Sequence, residues 1–217
     1  MQILKGIIMM GGVGYDSNIY LIDGELIVDS GSGLFFSEIK EEISRLCDVS
    51  NIKYIVNTHC HYDHSGANRK FRDWLKTEIA IHENDKESLE SGIDTLSEMF
   101  GEVARVTTVD RVLKNGSMIR TANFTFEVIS TPGHTPGSIC LYEKEKKILI
   151  SGDTLFEDGI GRTDFPGGSK YKLCNSLKKL AKYPVSYLLP GHGMPKVGGV
   201  DFLIKQMIVA NDEKEFF

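Results

Sequence analysis

The sequence predicts an α/β (α+β) fold in which two sheets lie face to face with helices packed outside them. Three observations carry that expectation. Apolar runs of strand length are interspersed with longer amphipathic stretches, and this order occurs roughly twice along the chain. With 217 residues and 41% hydrophobic composition the chain can bury a substantial core, and no Ser/Pro-rich linker or low-complexity stretch divides it. Four strand-like runs each end in a Gly-containing turn that carries a metal-ligating type of residue, and in open sheets ligands gather at the carboxyl ends of strands. A single domain over residues 1–210 is expected, with the polar, acidic 211–217 stretch fraying as a tail.

In chain order, the first strand is expected at 3–8, where Met1 to Met10 alternates into a Gly-rich turn. Strands follow at 18–23, in Gly14-Tyr15-Asp16-Ser17-Asn18-Ile19-Tyr20-Leu21-Ile22, and at 25–29, in the apolar run closed by Asp29. Helical patterning predicts a helix over 34–46. Lys53 to Asn57 reads as a short buried strand and 66–76 as the helix after it. Ile79-Ala80-Ile81 is a strand that hands over to a helix at 84–91. Leu89, Ile93, Leu96, Met99 and Phe100 recur at roughly helical spacing, so residues 83–106 are expected as a helix packed on the scaffold, with a wall or lid of a pocket as the alternative. Strands at 123–129, 138–143, 147–151 and 186–189 and helices at 170–182 and 200–210 complete the pattern.

The densest chemistry lies in Thr58-His59-Cys60-His61-Tyr62-Asp63-His64-Ser65-Gly66, with three imidazoles and a carboxylate inside six positions. Three more ligand-type residues follow strand-like runs: His134 in Thr131-Pro132-Gly133-His134, Asp153 in Ser151-Gly152-Asp153-Thr154, and His192 in Pro190-Gly191-His192-Gly193. Neutral imidazole suits zinc, iron and other transition ions, and carboxylate adds charge and a harder ligand. Seven such residues are too many for one tetrahedral ion, so two ions are expected.

The pattern His59-x-His61-x-Asp63-His64, then His134, Asp153 and His192, resembles the metallo-β-lactamase superfamily in the order and spacing of all seven positions. The resemblance runs from Asn18 to His192 and implies an αββα four-layer sandwich. It also implies metal roles: His59, His61 and His134 around one ion, Asp63, His64 and His192 around the other, and Asp153 between them. Within that set Asp63 and His64 are the candidate catalytic residues. Two divalent ions, zinc first and iron or manganese as alternatives, share a hydroxide and clamp a substrate oxygen. Gly152-Asp153-Thr154-Leu155-Phe156 and Gly159-Ile160-Gly161-Arg162-Thr163-Asp164-Phe165 resemble the glyoxalase II (hydroxyacylglutathione hydrolase) branch. That branch implies a hydrolase for a small thioester. Its full-length members carry a further C-terminal helical domain that is not in this sequence, so the likeness is to the short single-domain form. A mononuclear-iron persulfide dioxygenase, which shares the Gly161 to Phe165 signature, and a lactonase are the alternatives.

Arg162 is the candidate substrate-binding residue, because a guanidinium fork recognises carboxylates; a pair with Asp164 or Asp158 is its structural alternative. His82 is left over from the pattern and expected in a structural role. Asp29 is read as either a buried carboxylate that orients a ligating imidazole or a plain turn aspartate. Cys47, Cys60, Cys140 and Cys174 form no CxxC pair and are expected as free thiols, with Cys60 turned away from its flanking histidines. No Gly-x-Ser-x-Gly elbow is present. The net charge of −5 with scattered Lys and Arg gives no footprint for nucleic acid. No run of about 18 apolar residues predicts a membrane span, and no secretory signal is read at the N-terminus. A cytoplasmic protein with a small-molecule substrate, and neither nucleic acid nor membrane as partner, is the expectation.

Overall fold

The computed structural model describes residues 1–12, 14–104 and 106–211. Its first sheet is seven-stranded, in the order β1 (Gln2–Leu4), β2 (Ile7–Gly11), β3 (Asn18–Ile22), β4 (Leu26–Val28), β5 (Tyr54–Val56), β6 (Glu78–His82), β7 (Arg111–Leu113). The first four strands pair antiparallel, and β4 to β7 pair parallel. The second sheet runs β13 (Lys196–Val197), β12 (Tyr187–Pro190), β11 (Ile148–Gly152), β10 (Ile139–Glu143), β9 (Thr125–Ser130), β8 (Met118–Arg120). Only its β11–β12 pair is parallel.

The two sheets meet because their strands are apolar on both faces. In β3, Tyr20 and Ile22 point between the sheets, while Ile19 and Leu21 point to the outside. In β11, Ile148 and Ile150 point inward and Leu149 outward. Period-two alternation thus fills two kinds of core from one strand. The inner faces bury Val28, Val56 and Ala80 against Phe126, Val128, Leu141 and Leu189. On the outer face of the first sheet lie α1 (Phe36–Leu46), α3 (Asn68–Leu75) and α4 (Lys86–Ser91), through Ile39, Ile43, Phe71 and Leu89. On that of the second lie α5 (Lys170–Leu180) and α6 (Val200–Asn211), through Leu177, Leu180, Leu203 and Ile204. The result is the expected αββα sandwich.

Several elements differ from the expectation. The strand read at 3–8 is two strands, because Lys5-Gly6 turns the chain with Gly6 at φ +89°. β7, β8 and β13 are additional short edge strands. The helix read across 83–106 stops at Ser91, where Gly92 adopts φ +78°. Asp94 and Leu96 also take positive φ, and only a 3-10 turn, Ser97–Phe100, follows. Asn211 ends α6, and 212–217 lie outside the described residues. Among the described residues no helix is long and apolar enough to cross a membrane. All four cysteines are free.

Candidate metal centre

Four strand ends deliver the seven residues singled out in the sequence to one place. After β5 the chain enters a tight turn that carries His59 and His61, then a single helical turn, α2 (Tyr62–Ser65), that carries Asp63 and His64. His134 follows β9, Asp153 follows β11 and His192 follows β12. Ligand atoms within 4.8 Å of one another form three overlapping groups: His59, His61 and His134; His59, His64 and Asp153; and Asp63, His64 and His192. Gly191 makes the approach of the last loop possible, since a Cβ there would collide with the Asp153 carboxylate and the His64 ring.

Three of the imidazoles are oriented from behind. His134 Nδ1–H donates to the carbonyl of Arg162 at 2.7 Å, which leaves its Nε2 lone pair facing the cluster. His64 Nδ1–H donates to Asp29 Oδ2 at 2.8 Å, with the same consequence for its Nε2. Asp29 is therefore an orienting carboxylate and no plain turn residue. It also accepts the Thr58 backbone N–H at 2.7 Å and the Thr58 hydroxyl at 2.8 Å, and these bonds hold its backbone at φ +59°. Because the Thr58 hydrogen is used there, its Oγ1 accepts from His59 Nδ1 at 3.1 Å. His59 Nε2 is then a buried nitrogen with no partner. His61 brings Nδ1 within 2.8 Å of His134 Nε2, and its own Nε2 is also orphaned.

Asp153 sits between the groups. Its Oδ1 lies 3.2 Å from His64 Nε2, and its Oδ2 lies 3.5 Å from His134 Nε2 and 3.7 Å from His192 Nε2. Asp63 Oδ2 is 3.1 Å from His192 Nε2. Protonation follows from burial and these neighbours. Burial, reinforced by His64, His61 and His134, holds His59 well below the ordinary histidine range, and burial with His134 pushes His61 down to about 3. Both rings are neutral at pH 7, the form that ligates. Burial also opposes charge on His64, but Asp153, Asp29 and Asp63 together outweigh it and raise that ring. For Asp63 and Asp153 burial is overcome by His64 and their other imidazole neighbours, so both carboxylates are held low and ionised.

A divalent metal fits this donor set. Buried ring nitrogens without partners cost about 1–3 kcal/mol each unless a ligand takes them. Here two such nitrogens and one oxygen of an ionised carboxylate converge, and mixed imidazole–carboxylate sites suit zinc, iron and manganese.

The centre forms the floor of a cavity of about 460 Å³. Its walls are Tyr15, Leu96, Met99, Phe100, Phe156, Ile160 and Phe165. Asp63 lines this cavity, whereas His64 is wholly buried behind it. Arg162 stands at the rim with its guanidinium in a two-pronged pair with Asp164, at 3.0 and 2.6 Å, and stacked over Phe165. That is the structural arrangement weighed for it in the sequence. His82 joins no group; its Nε2 lies 2.8 Å from Ser130 Oγ. Cys60 packs into the core on the helix side of the first sheet.

Three supporting residues were not legible as functional in the sequence. Asn18 donates to the carbonyls of Pro190 and Gly193, and Tyr20 donates to Pro190, so β3 pins the turn that carries His192. Asp85 ties two ligand loops together. The only local signal was polarity at the edge of an apolar run.

Fold and site together define a class: a four-layer α/β sandwich with an imidazole–carboxylate centre where strands of both sheets end. The chain belongs to the metallo-beta-lactamase superfamily, whose family model matches residues 12–192. It is 34% identical to a probable metallo-hydrolase of Methanocaldococcus jannaschii, over 86% of this chain and 92% of the relative. It is also 34% identical to a hydroxyacylglutathione hydrolase of Haemophilus influenzae, over 77% and 79% respectively. Among solved structures it is similar to a B3 metallo-beta-lactamase, BLEG-1, with TM-score 0.78 and 30% identity, covering 94% of this chain and 97% of that one.

Proposed function

We propose that the chain is a metal-dependent hydrolase that cleaves a small thioester of the hydroxyacylglutathione type. The observation that carries the reading is the make-up of the cavity: a floor of His61, Asp63, His134, Asp153 and His192 beneath apolar walls, with no serine, threonine, cysteine or lysine among its lining residues. Among the described residues, a carbonyl held there meets no aliphatic hydroxyl, thiol or amine, and the one lining hydroxyl, the phenol of Tyr15, is a poor nucleophile in its neutral form, so the attacking group is water. When bound, two divalent ions supply Lewis acidity and lower the pKa of water toward about 7. His59, His61 and His134 would hold one ion and Asp63, His64 and His192 the other, with the Asp153 oxygens facing both.

The chain's own contributions follow from its geometry. Asp29, Thr58 and the Arg162 carbonyl fix the orientations of His64, His59 and His134 before any ion arrives, so little reorganisation of these three is needed. Asp63, ionised and facing the cavity, can accept a proton at Oδ2 from the attacking water and return it to the departing thiolate. Phe156, Ile160, Phe165, Leu96, Met99 and Phe100 make the walls apolar, so fewer waters surround a carbonyl held there. The relative named as a hydroxyacylglutathione hydrolase supports the thioester class.

The test pairs elemental analysis of the purified protein with a panel of thioesters, a lactone, a β-lactam and a persulfide followed by oxygen uptake. Two ions per chain and turnover of thioesters are expected. A single bound iron with oxygen uptake on persulfide would overturn the hydrolase reading, and turnover of the β-lactam alone would overturn the substrate class.

A further inference from the structure

Asp85 occupies the N-cap position of α4, where an aspartate ordinarily accepts from the first backbone N–H groups of its own helix. Here it makes no such bond. The side chain turns inward and is fully buried. One oxygen, Oδ2, accepts the backbone N–H of Cys60 at 3.0 Å and the hydroxyl of Thr135 at 2.7 Å. The other, Oδ1, accepts the backbone N–H of Gly137 at 2.6 Å.

These donors come from two different loops. Cys60 lies between His59 and His61, on the loop leaving the first sheet, and Thr135 follows His134, on a loop leaving the second. A third device keeps them together: Gly137 has no Cβ, and one built there would fall about 2.5 Å from the Asp85 carboxylate. A buried carboxylate that gives up its own helix cap to bind both loops holds their relative position. It does not line the cavity over the metal centre, and its hydrogen bonds go to Cys60, Thr135 and Gly137 and to none of the three imidazoles.

We infer that Asp85 is a positioning residue that sets the spacing of His59 and His61 against His134, and so tunes the affinity of the ion those three histidines share. The inference builds on the metal reading of the site. Charge matters as well as shape: an asparagine amide would present N–H groups to at least one of three donors, and donor would face donor.

Stepwise Co2+ titration of the ion-free full chain, followed by ligand-field absorption, reads the binding steps. The variants His61→Ala and His192→Ala assign each step to one group. Asp85→Asn should weaken the step lost in His61→Ala by roughly ten- to hundredfold, the usual effect of removing an outer support, and leave the step lost in His192→Ala within about threefold. Thr135→Val should weaken the same step by a smaller factor, and Thr135→Ser, which keeps the hydroxyl, should restore it. Equal weakening of both steps would overturn the assignment and leave Asp85 a general fold residue. Should Asp85→Asn fail to fold, the threonine pair decides: Thr135→Val with wild-type affinity overturns the inference. A wild-type chain that takes up no Co2+ overturns the metal reading itself, an outcome distinct from both.

Discussion

Asp153 is the residue on which both halves of the centre converge. Each of its oxygens lies within 3.7 Å of an imidazole nitrogen, His64 on one side and His134 with His192 on the other. His192 lies at the open side of the cluster, its side chain about one-third exposed, at 31%, against 11% for Asp153. Asp153→Ala should therefore lower total metal content more than His192→Ala does, with elemental analysis after gel filtration as the measure. A loss of one ion in both variants would show that the carboxylate serves one ion only. At this scale the sequence was informative because ligand chemistry is carried by residue type: seven His and Asp positions were readable, and the structure brings all seven together. What could not be read was which nitrogen of each ring faces inward. That depends on Thr58, Asp29 and the Arg162 carbonyl, and a backbone carbonyl has no signature in a sequence. Arg162 shows the converse. Its type suggested substrate recognition, but Asp164, two residues on, satisfies its fork.

Elements were legible where they are long or apolar on both faces. The strands that frame the site, β3, β5, β9, β10, β11 and β12, all match expected runs, with β9, β11 and β12 ending one residue later than expected, because a doubly buried strand is a continuous apolar stretch. The edge strands β7, β8 and β13 escaped notice; they are two or three residues long and mostly polar or exposed. Residues 92–101 are the instructive difference. Their apolar spacing matches a helix, yet left-handed backbone at Gly92, Asp94, Leu96 and Gly101 breaks it. A leucine at φ +61° costs on the order of 1 kcal/mol, and strain of this kind persists where surroundings hold it. Here it turns Leu96, Met99 and Phe100 toward the cavity, with Phe100 5.6 Å from the Tyr62 ring. The segment is thus the wall that was the alternative reading. Phe100→Ala should remove about 1–2 kcal/mol of apolar contact with substrate, since the ring is only part-buried. KM should rise roughly five- to thirtyfold for thioesters with apolar acyl groups, with kcat nearly unchanged and metal content intact. A variant that loses metal instead would mean that the wall supports the His59–His64 turn.

Over the whole molecule, the centre is also a joint. The first sheet supplies the His59–His64 turn, and the second supplies His134, Asp153 and His192. Direct bonds also connect the sheets at this end: Ile139 N–H to the Thr58 carbonyl at 2.9 Å and Asn18 N–H to the Gly191 carbonyl at 2.7 Å, beside the side-chain bonds of Asn18, Tyr20 and Asp85. An ion held by ligands from both sheets binds the folded chain and not the unfolded one, so it stabilises the fold by mass action. At a free ion concentration about a thousand times the dissociation constant, one site contributes about 4 kcal/mol. For a chain of this size that is roughly 8–16 °C in Tm. Chelation should therefore lower Tm by about that amount, and readdition of zinc should restore it with a logarithmic dependence on free ion concentration. In the double variant His61→Ala with His192→Ala, which cripples both groups, Tm should respond to neither chelator nor zinc. A wild-type Tm indifferent to chelation, in a sample shown by elemental analysis to have lost its metal, would mean that the sheets are held by their apolar interface alone, and that the ions contribute chemistry without joining the two halves.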